Sequence, residues 1–209
     1  MTLNIGVIGD PPTPFDEQTR EKLGSLGRAI AKSDCVLITE SRPGVLNPLV
    51  QGARAAGGMV VGITSDRTPV DLRAMDSAPS DEVDVQISST SRSENGEAET
   101  IRSSDVIVIA TASSGPASSL GAPFNEGRPI GVLTQTRGIA NAFEALIHAC
   151  APRSKSVVVC DDDPVRLVDR LIECHMERTR RAPSPVRPSD EAGRSDRGRR
   201  VAWTPPSHS

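Results

Sequence analysis

The chain has 209 residues, a length for one medium domain with a tail rather than two full domains. Hydrophobic residues make up 36% but aromatics only 2%, so the core must be aliphatic, suited to β-branched strands under Ala- and Leu-bearing helices. The formal net charge of −3 gives no pull toward nucleic acid or an anionic membrane. No apolar run approaches the roughly 18 residues of a membrane span.

Met1-Thr2-Leu3-Asn4 has no charged leader and runs straight into a short strand, so a soluble cytoplasmic protein is expected. The cysteines at 35, 150, 160 and 174 show no metal-ligand spacing, and no metal site is expected. Cys35 and Cys160 read as small buried hydrophobes inside strands, and Cys174-His175 as a pair on a terminal helix.

Short apolar runs alternate with helical segments, which predicts βαβ units and a doubly wound parallel sheet of the Rossmann-like α/β class. The first strand reads Leu3 to Gly9. A helix over about 16–32 follows, with Leu23, Leu26, Ala29 and Ile30 on one face. The next strand spans Cys35 to Thr39, then come a helix over about 44–56 and a strand from Met59 to Ile63. Residues 64–82 are polar, hold Pro69 and Pro79, and read as a long loop. A weak strand from Val83 to Ile87 and a short helix near 96–103 come next.

The run from Asp105 to Ala110 is the most apolar and implies burial on both faces. Strands at 129–133 and 156–160 complete the sheet, each followed by a helix, over about 138–150 and 163–178. Val165, Leu167, Val168, Leu171 and Ile172 form the core face of the last helix. The domain is therefore placed at 1–178. Residues 179–209 are Arg-, Pro- and Ser-rich, lack hydrophobic periodicity and are expected to be disordered. That tail reads either as a solubilising segment or as a docking segment for an acidic partner.

Ligands of doubly wound sheets bind beyond the carboxyl ends of the strands, where helix N-termini offer unpaired N–H groups to anions. The candidate ligand-binding residues are those just after three strands. They are Gly9 and Asp10 after the first; Thr39, Glu40, Ser41, Gly44 and Val45 after the second; and Thr111, Ser113, Ser114, Gly115, Pro116, Ala117 and Ser119 after the strand ending at Ala110. The third turn is the strongest, because small residues admit a phosphate to the backbone and hydroxyls can donate to it. An ordinary strand-to-helix turn with Ser113 or Ser114 as N-cap fits the same residues. The Rossmann GxGxxG pattern is absent after the first strand.

Taken in order, these turns resemble the LOG-like (SLOG) family of Rossmann proteins, which includes cytokinin-activating phosphoribohydrolases and molybdenum cofactor carrier proteins. The resemblance covers roughly 3–175. It rests on Ile5-Gly6-Val7-Ile8-Gly9, on Thr39 to Leu46 in place of TGG-x-x-GVM, on Gly52-Ala53 with Gly57-Gly58 for GA-x-x-x-GG, and on Gly127-Arg128-Pro129. The family's phosphate signature PGG-x-GT-x-x-E falls on Thr111 to Ser119. There the glycines become Ala112 and Ser113, Gly115 is kept, Thr becomes Pro116 and the glutamate becomes Ser119. The family's arginine lands near Gly96, and the glycines of TGG are Glu40 and Ser41.

In the hydrolases of that family the Glu and Arg help break an N-glycosidic bond, so the resemblance implies the fold and a ligand cleft while arguing against hydrolysis. Ser119 has no His nearby in the chain to activate it, and His148 reads as structural. The leading function is binding of a nucleotide, a cofactor of unknown identity or another phosphorylated metabolite. One alternative is a nucleoside 5′-monophosphate phosphoribohydrolase in which Glu40 or Asp10 replaces the missing carboxylate. The other is a non-binding scaffold acting through protein contacts. The resemblance also implies a homodimer. Neither a membrane nor nucleic acid is expected as a partner.

Overall fold

The apolar runs become strands because they are short and β-branched, and the amphipathic segments between them become helices. A computed structural model of the chain describes residues 2–9, 16–40, 47–64, 83–89, 96–111, 127–136 and 156–181. In chain order these form β1 (Asn4–Gly9), α1 (Glu17–Lys32), β2 (Val36–Glu40), α2 (Asn47–Ala55), β3 (Val60–Thr64) and β4 (Val85–Ser88). Then follow α3 (Glu97–Arg102), β5 (Val106–Thr111), β6 (Ile130–Leu133), β7 (Val158–Asp161) and α4 (Pro164–Arg181).

The strands form one sheet in the order β4-β3-β2-β1-β5-β6-β7, and every pairing is parallel. The expected doubly wound α/β class is what the chain adopts. Alternation along β5 shows how both faces are buried: Val106, Val108 and Ala110 join α1, α2 and α4 in one apolar cluster, while Ile107 and Ile109 join Ile101 of α3 in another.

The α1–α2 contact explains one of the sequence patterns. A Cβ on Gly27 would come within 2.8 Å of the Ala53 backbone nitrogen and nearer still to the Leu49 carbonyl oxygen, and one on Gly52 would collide with the Gly24 backbone. Glycine lets the two helix backbones touch, so the GA-x-x-x-GG stretch serves helix packing rather than a ligand.

The amino edge of the sheet is closed by carboxylates. Asp105 takes the Asn4 N–H on its side chain at 3.0 Å and donates its own N–H to the Asn4 carbonyl at 2.9 Å. Asp84 repeats the arrangement with Val60, at 2.8 and 2.9 Å. Arg128 donates through one nitrogen to the carbonyls of Ile101 and Ser104, at 2.6 and 2.7 Å, and so closes the carboxyl end of α3. The Gly-Arg-Pro motif is structural by this geometry.

Some boundaries move. Cys35 precedes β2 instead of opening it, and the strand extends to Glu40. The weak strand sits at Val85–Ser88, and α4 runs to Arg181, past the expected end at Arg178. Of the loop expected over 64–82, Thr64 ends β3 and 65–82 lie outside the described residues, as do the helix expected over 138–150 and, of the tail expected over 179–209, residues 182–209. Among the described residues, no helix is long and apolar enough to cross a membrane.

Candidate functional site

The sheet order sets where a ligand cleft must lie. From β1 the chain winds outward through β2, β3 and β4, then returns to the other side of β1 with β5 and continues to β6 and β7. The strand order therefore reverses between β1 and β5, and the carboxyl ends at such a switch point are where doubly wound sheets bind ligands.

Gly9 and Thr111 meet at that point. The register between β1 and β5 shifts after Ile8, so that Gly9 pairs with Thr111. A Cβ on Gly9 would sit 2.5 Å from the Thr111 carbonyl oxygen and 2.7 Å from its hydroxyl oxygen, so only glycine fits this close approach. The Thr111 side chain is buried, and among the described residues its Oγ1 has no hydrogen-bond partner. An unsatisfied buried hydroxyl costs about 1–3 kcal/mol. Buried polar groups left in this state are uncommon in folded proteins.

The end of β2 is satisfied from within. The Thr39 hydroxyl donates to the Val7 carbonyl at 3.2 Å. The Glu40 carboxylate accepts the Gly96 N–H at 3.0 Å, where the chain enters α3. The sequence resemblance places the family's arginine near Gly96. A Cβ there would lie 3.0 Å from the Ile63 carbonyl oxygen and 3.3 Å from Glu40 Cγ. The Glu40 side chain and the Gly96 backbone thus bind each other.

Two helix N-termini at this edge are also occupied. Asp16 caps α1 by accepting the Thr19 N–H at 2.7 Å, with Glu17 in the first turn. At α4, Asp163 accepts the Val165 N–H at 2.8 Å. Asp161 accepts from Arg166 Nη2 at 2.7 Å and from the Asp163 N–H at 2.9 Å, with Arg170 at 3.5 Å. The Arg166 hydrogen bonds hold the Asp161 carboxyl well below the usual carboxylate range, against the opposing effect of its burial. A free anion finds both helix ends already filled.

On α1, Lys22 reaches across the edge and donates to the Thr134 carbonyl, just past β6, at 3.0 Å. Burial, aided by the neighbouring Asp34 carboxylate, pushes the Cys35 thiol above its ordinary value, in keeping with an inert core residue. Among the described residues no group of His, Cys, Asp and Glu could hold a metal.

Of the sequence-predicted site residues, Gly9 and Thr111 come together at the carboxyl ends of β1 and β5, and Thr39 and Glu40 end the neighbouring strand. Asp10, Ser41, Gly44, Val45, Ser113, Ser114, Gly115, Pro116, Ala117 and Ser119 lie outside the described residues. Sequence reasoning missed Asp16, Lys22 and Gly96. An Asp just before an amphipathic helix is a readable cap signal. Nothing local marks the other two.

A seven-stranded, all-parallel, doubly wound sheet defines a Rossmann-like α/β protein. The chain belongs to the SLOG cluster4 family, whose model matches residues 2–165. Among solved structures it is similar to the molybdenum cofactor carrier protein of Chlamydomonas reinhardtii, at 24% identity and a TM-score of 0.62, covering 83% of this chain and 99% of that one. It is also similar to the molybdenum cofactor binding protein of Rippkaea orientalis, at 22% identity and a TM-score of 0.66, covering 84% and 98%. DNA processing protein A of Helicobacter pylori, described with a single-stranded DNA binding mode, matches at 17% identity and a TM-score of 0.53, covering 82% and 80%. At these identities the likeness is one of fold. No curated protein matches the chain.

Proposed function

We propose that the chain binds a nucleotide, a cofactor or another phosphorylated metabolite at the carboxyl ends of β1 and β5, and does so without the family's N-glycosidic hydrolysis. The observation that carries this reading is the buried Thr111 hydroxyl, unpartnered and pressed against Gly9 at the switch point. The carrier and binding proteins of similar fold support a ligand of cofactor type, since each is named for the molybdenum cofactor.

Hydrolysis in a rearranged site is the weaker reading. It asks Glu40 to act as the missing carboxylate, and Glu40 is engaged by the Gly96 N–H instead. The DNA binding of the Helicobacter protein is not carried over, because a net charge of −3 offers no general attraction to a phosphate backbone. A cytoplasmic homodimer is part of the proposal on family grounds.

Thermal-shift measurements on the full chain against AMP, ADP-ribose and a pterin cofactor test this reading. A concentration-dependent rise for one of them, with no base released on prolonged incubation, is the expected result. No rise with any of them at millimolar concentration rejects ligand binding and favours the scaffold. Release of base from AMP restores the hydrolase.

A further inference from the structure

Lys22 stands where an anion in the crevice would need a countercharge. It lies in the second turn of α1, beside the buried Leu23, and its ammonium ends 3.0 Å from the Thr134 carbonyl at the carboxyl end of β6. β5 and β6 are parallel neighbours, so Thr111, the last residue of β5, and Thr134, just past β6, lie at the same edge of the sheet. The ammonium therefore sits at the same edge as the orphan Thr111 hydroxyl, over the β5–β6 half of the sheet.

An ammonium has three donors, and the Thr134 carbonyl takes one. Among the described residues no carboxylate forms an ion pair with Lys22. This contrasts with Arg166 and Arg170 at the same edge, which are spent on Asp161. The N-termini of α1 and α4 are closed to anions by Asp16 and by Asp161 and Asp163. Among the described residues, Lys22 is a cationic group at the β5–β6 side that no carboxylate pairs. The family's arginine lands near Gly96, where Glu94, Glu97 and Glu99 offer no positive charge.

We infer that Lys22 is the residue that neutralises the anionic group of the bound ligand, and that this group lies over the β5–β6 half of the crevice instead of at the α1 N-terminus. This rests on the ligand-binding reading above and adds the position and charge of the group recognised. Lys22 in this role discriminates a phosphorylated ligand from its unphosphorylated counterpart. Loss of one charge-assisted hydrogen bond from a desolvated site reduces affinity by about tenfold to a hundredfold.

The test is calorimetric titration of the full chain with AMP and with adenosine, for the unaltered protein, Lys22→Met and Lys22→Arg, with unfolding temperatures recorded alongside. The expected result is a preference for AMP in the unaltered protein that collapses in Lys22→Met, with adenosine binding unchanged and Lys22→Arg partly restoring the preference. A Lys22→Met protein that keeps the full AMP preference overturns the role of Lys22 and leaves the binding reading intact. Equal binding of AMP and adenosine by the unaltered protein also overturns it. Binding of neither overturns it as well, and the binding reading then stands or falls with ADP-ribose and the pterin cofactor in the thermal-shift series. Should Lys22→Met not fold, raising salt tests the unaltered chain: AMP affinity falling severalfold between about 20 and 200 mM salt supports the inference, and no change rejects it.

Discussion

Gly24 and Gly27 lie one turn apart on α1, both buried at the α2 contact, yet alanine at the two positions is predicted to act in opposite directions. At Gly27 the new methyl meets the Leu49 carbonyl and, at 2.8 Å, the Ala53 nitrogen; these are backbone atoms that cannot swing aside. Overpacking of this kind costs about 1–3 kcal/mol, and a backbone collision falls at the upper end. Replacing a helical glycine returns about 1 kcal/mol. The net loss is about 2 kcal/mol, or a fall of about 4–8 °C in unfolding temperature for a protein of this size. At Gly24 the nearest atoms, Arg28 Nη1 and the Pro48 carbonyl oxygen, are both 3.5 Å away, an ordinary contact. Only the helix gain remains, about 0.4–1 kcal/mol, or a rise of about 1–4 °C. Thermal unfolding followed by circular dichroism reads both. Gly27→Ala melting at or above the unaltered protein, or Gly24→Ala melting below Gly27→Ala, refutes the packing account.

Asp161→Asn removes a carboxylate whose pKa is depressed in the fold, so it lowers stability at pH 7. The depressed carboxylate contributes fully above the unfolded value near 3.9 and less as pH falls from there toward its folded value. Denaturant titrations should therefore show the gap between the two proteins closing below about pH 4, and a gap constant with pH would count against the ion-pair explanation. Arg128→Ala strips two carbonyls at the end of α3 of their donor and should cost about 2 kcal/mol without changing ligand affinity. An affinity change at unchanged stability would make Gly-Arg-Pro a binding motif after all. Thr111→Val deletes the orphan hydroxyl at nearly constant volume and should raise stability by about 1 kcal/mol. A loss instead would show that the hydroxyl is satisfied within the fold.

The sheet was legible because burial on both faces forces each strand to be a continuous aliphatic run, as from Val106 to Ala110, and that pattern survives reading along the chain. Strand ends were less so. Asp84 and Asp105 fix the amino edge through bonds to Val60 and Asn4, and the Asn4 bond spans 101 positions that no local signal connects. The glycines of Gly52-Ala53 and Gly57-Gly58 were visible as a family mark, but their cause, contact with Gly24, Gly27 and Ala31, is tertiary.

The site divides in the same way. Gly9 and Thr111 were readable because strand ends at a switch point are the expected place for a ligand. The Glu40–Gly96 bond was not, since 56 positions separate its partners. Lys22 escaped notice because a lysine on an amphipathic helix looks like any solvated residue until the Thr134 carbonyl is placed beside it. Conversely, Asp16 was readable as a cap, and overlooking it left the α1 N-terminus looking open to anions when it is closed.

The most direct test of ligand binding at the β1–β5 crevice compares the unaltered chain with Thr111→Val in the same thermal-shift series of AMP, ADP-ribose and a pterin cofactor. The account predicts a ligand-dependent rise for the unaltered protein that is lost or greatly reduced in Thr111→Val, although the variant without ligand melts at least as high. Equal ligand-dependent rises in the two proteins would contradict it, because the hydroxyl buried beside Gly9 would then have no part in binding.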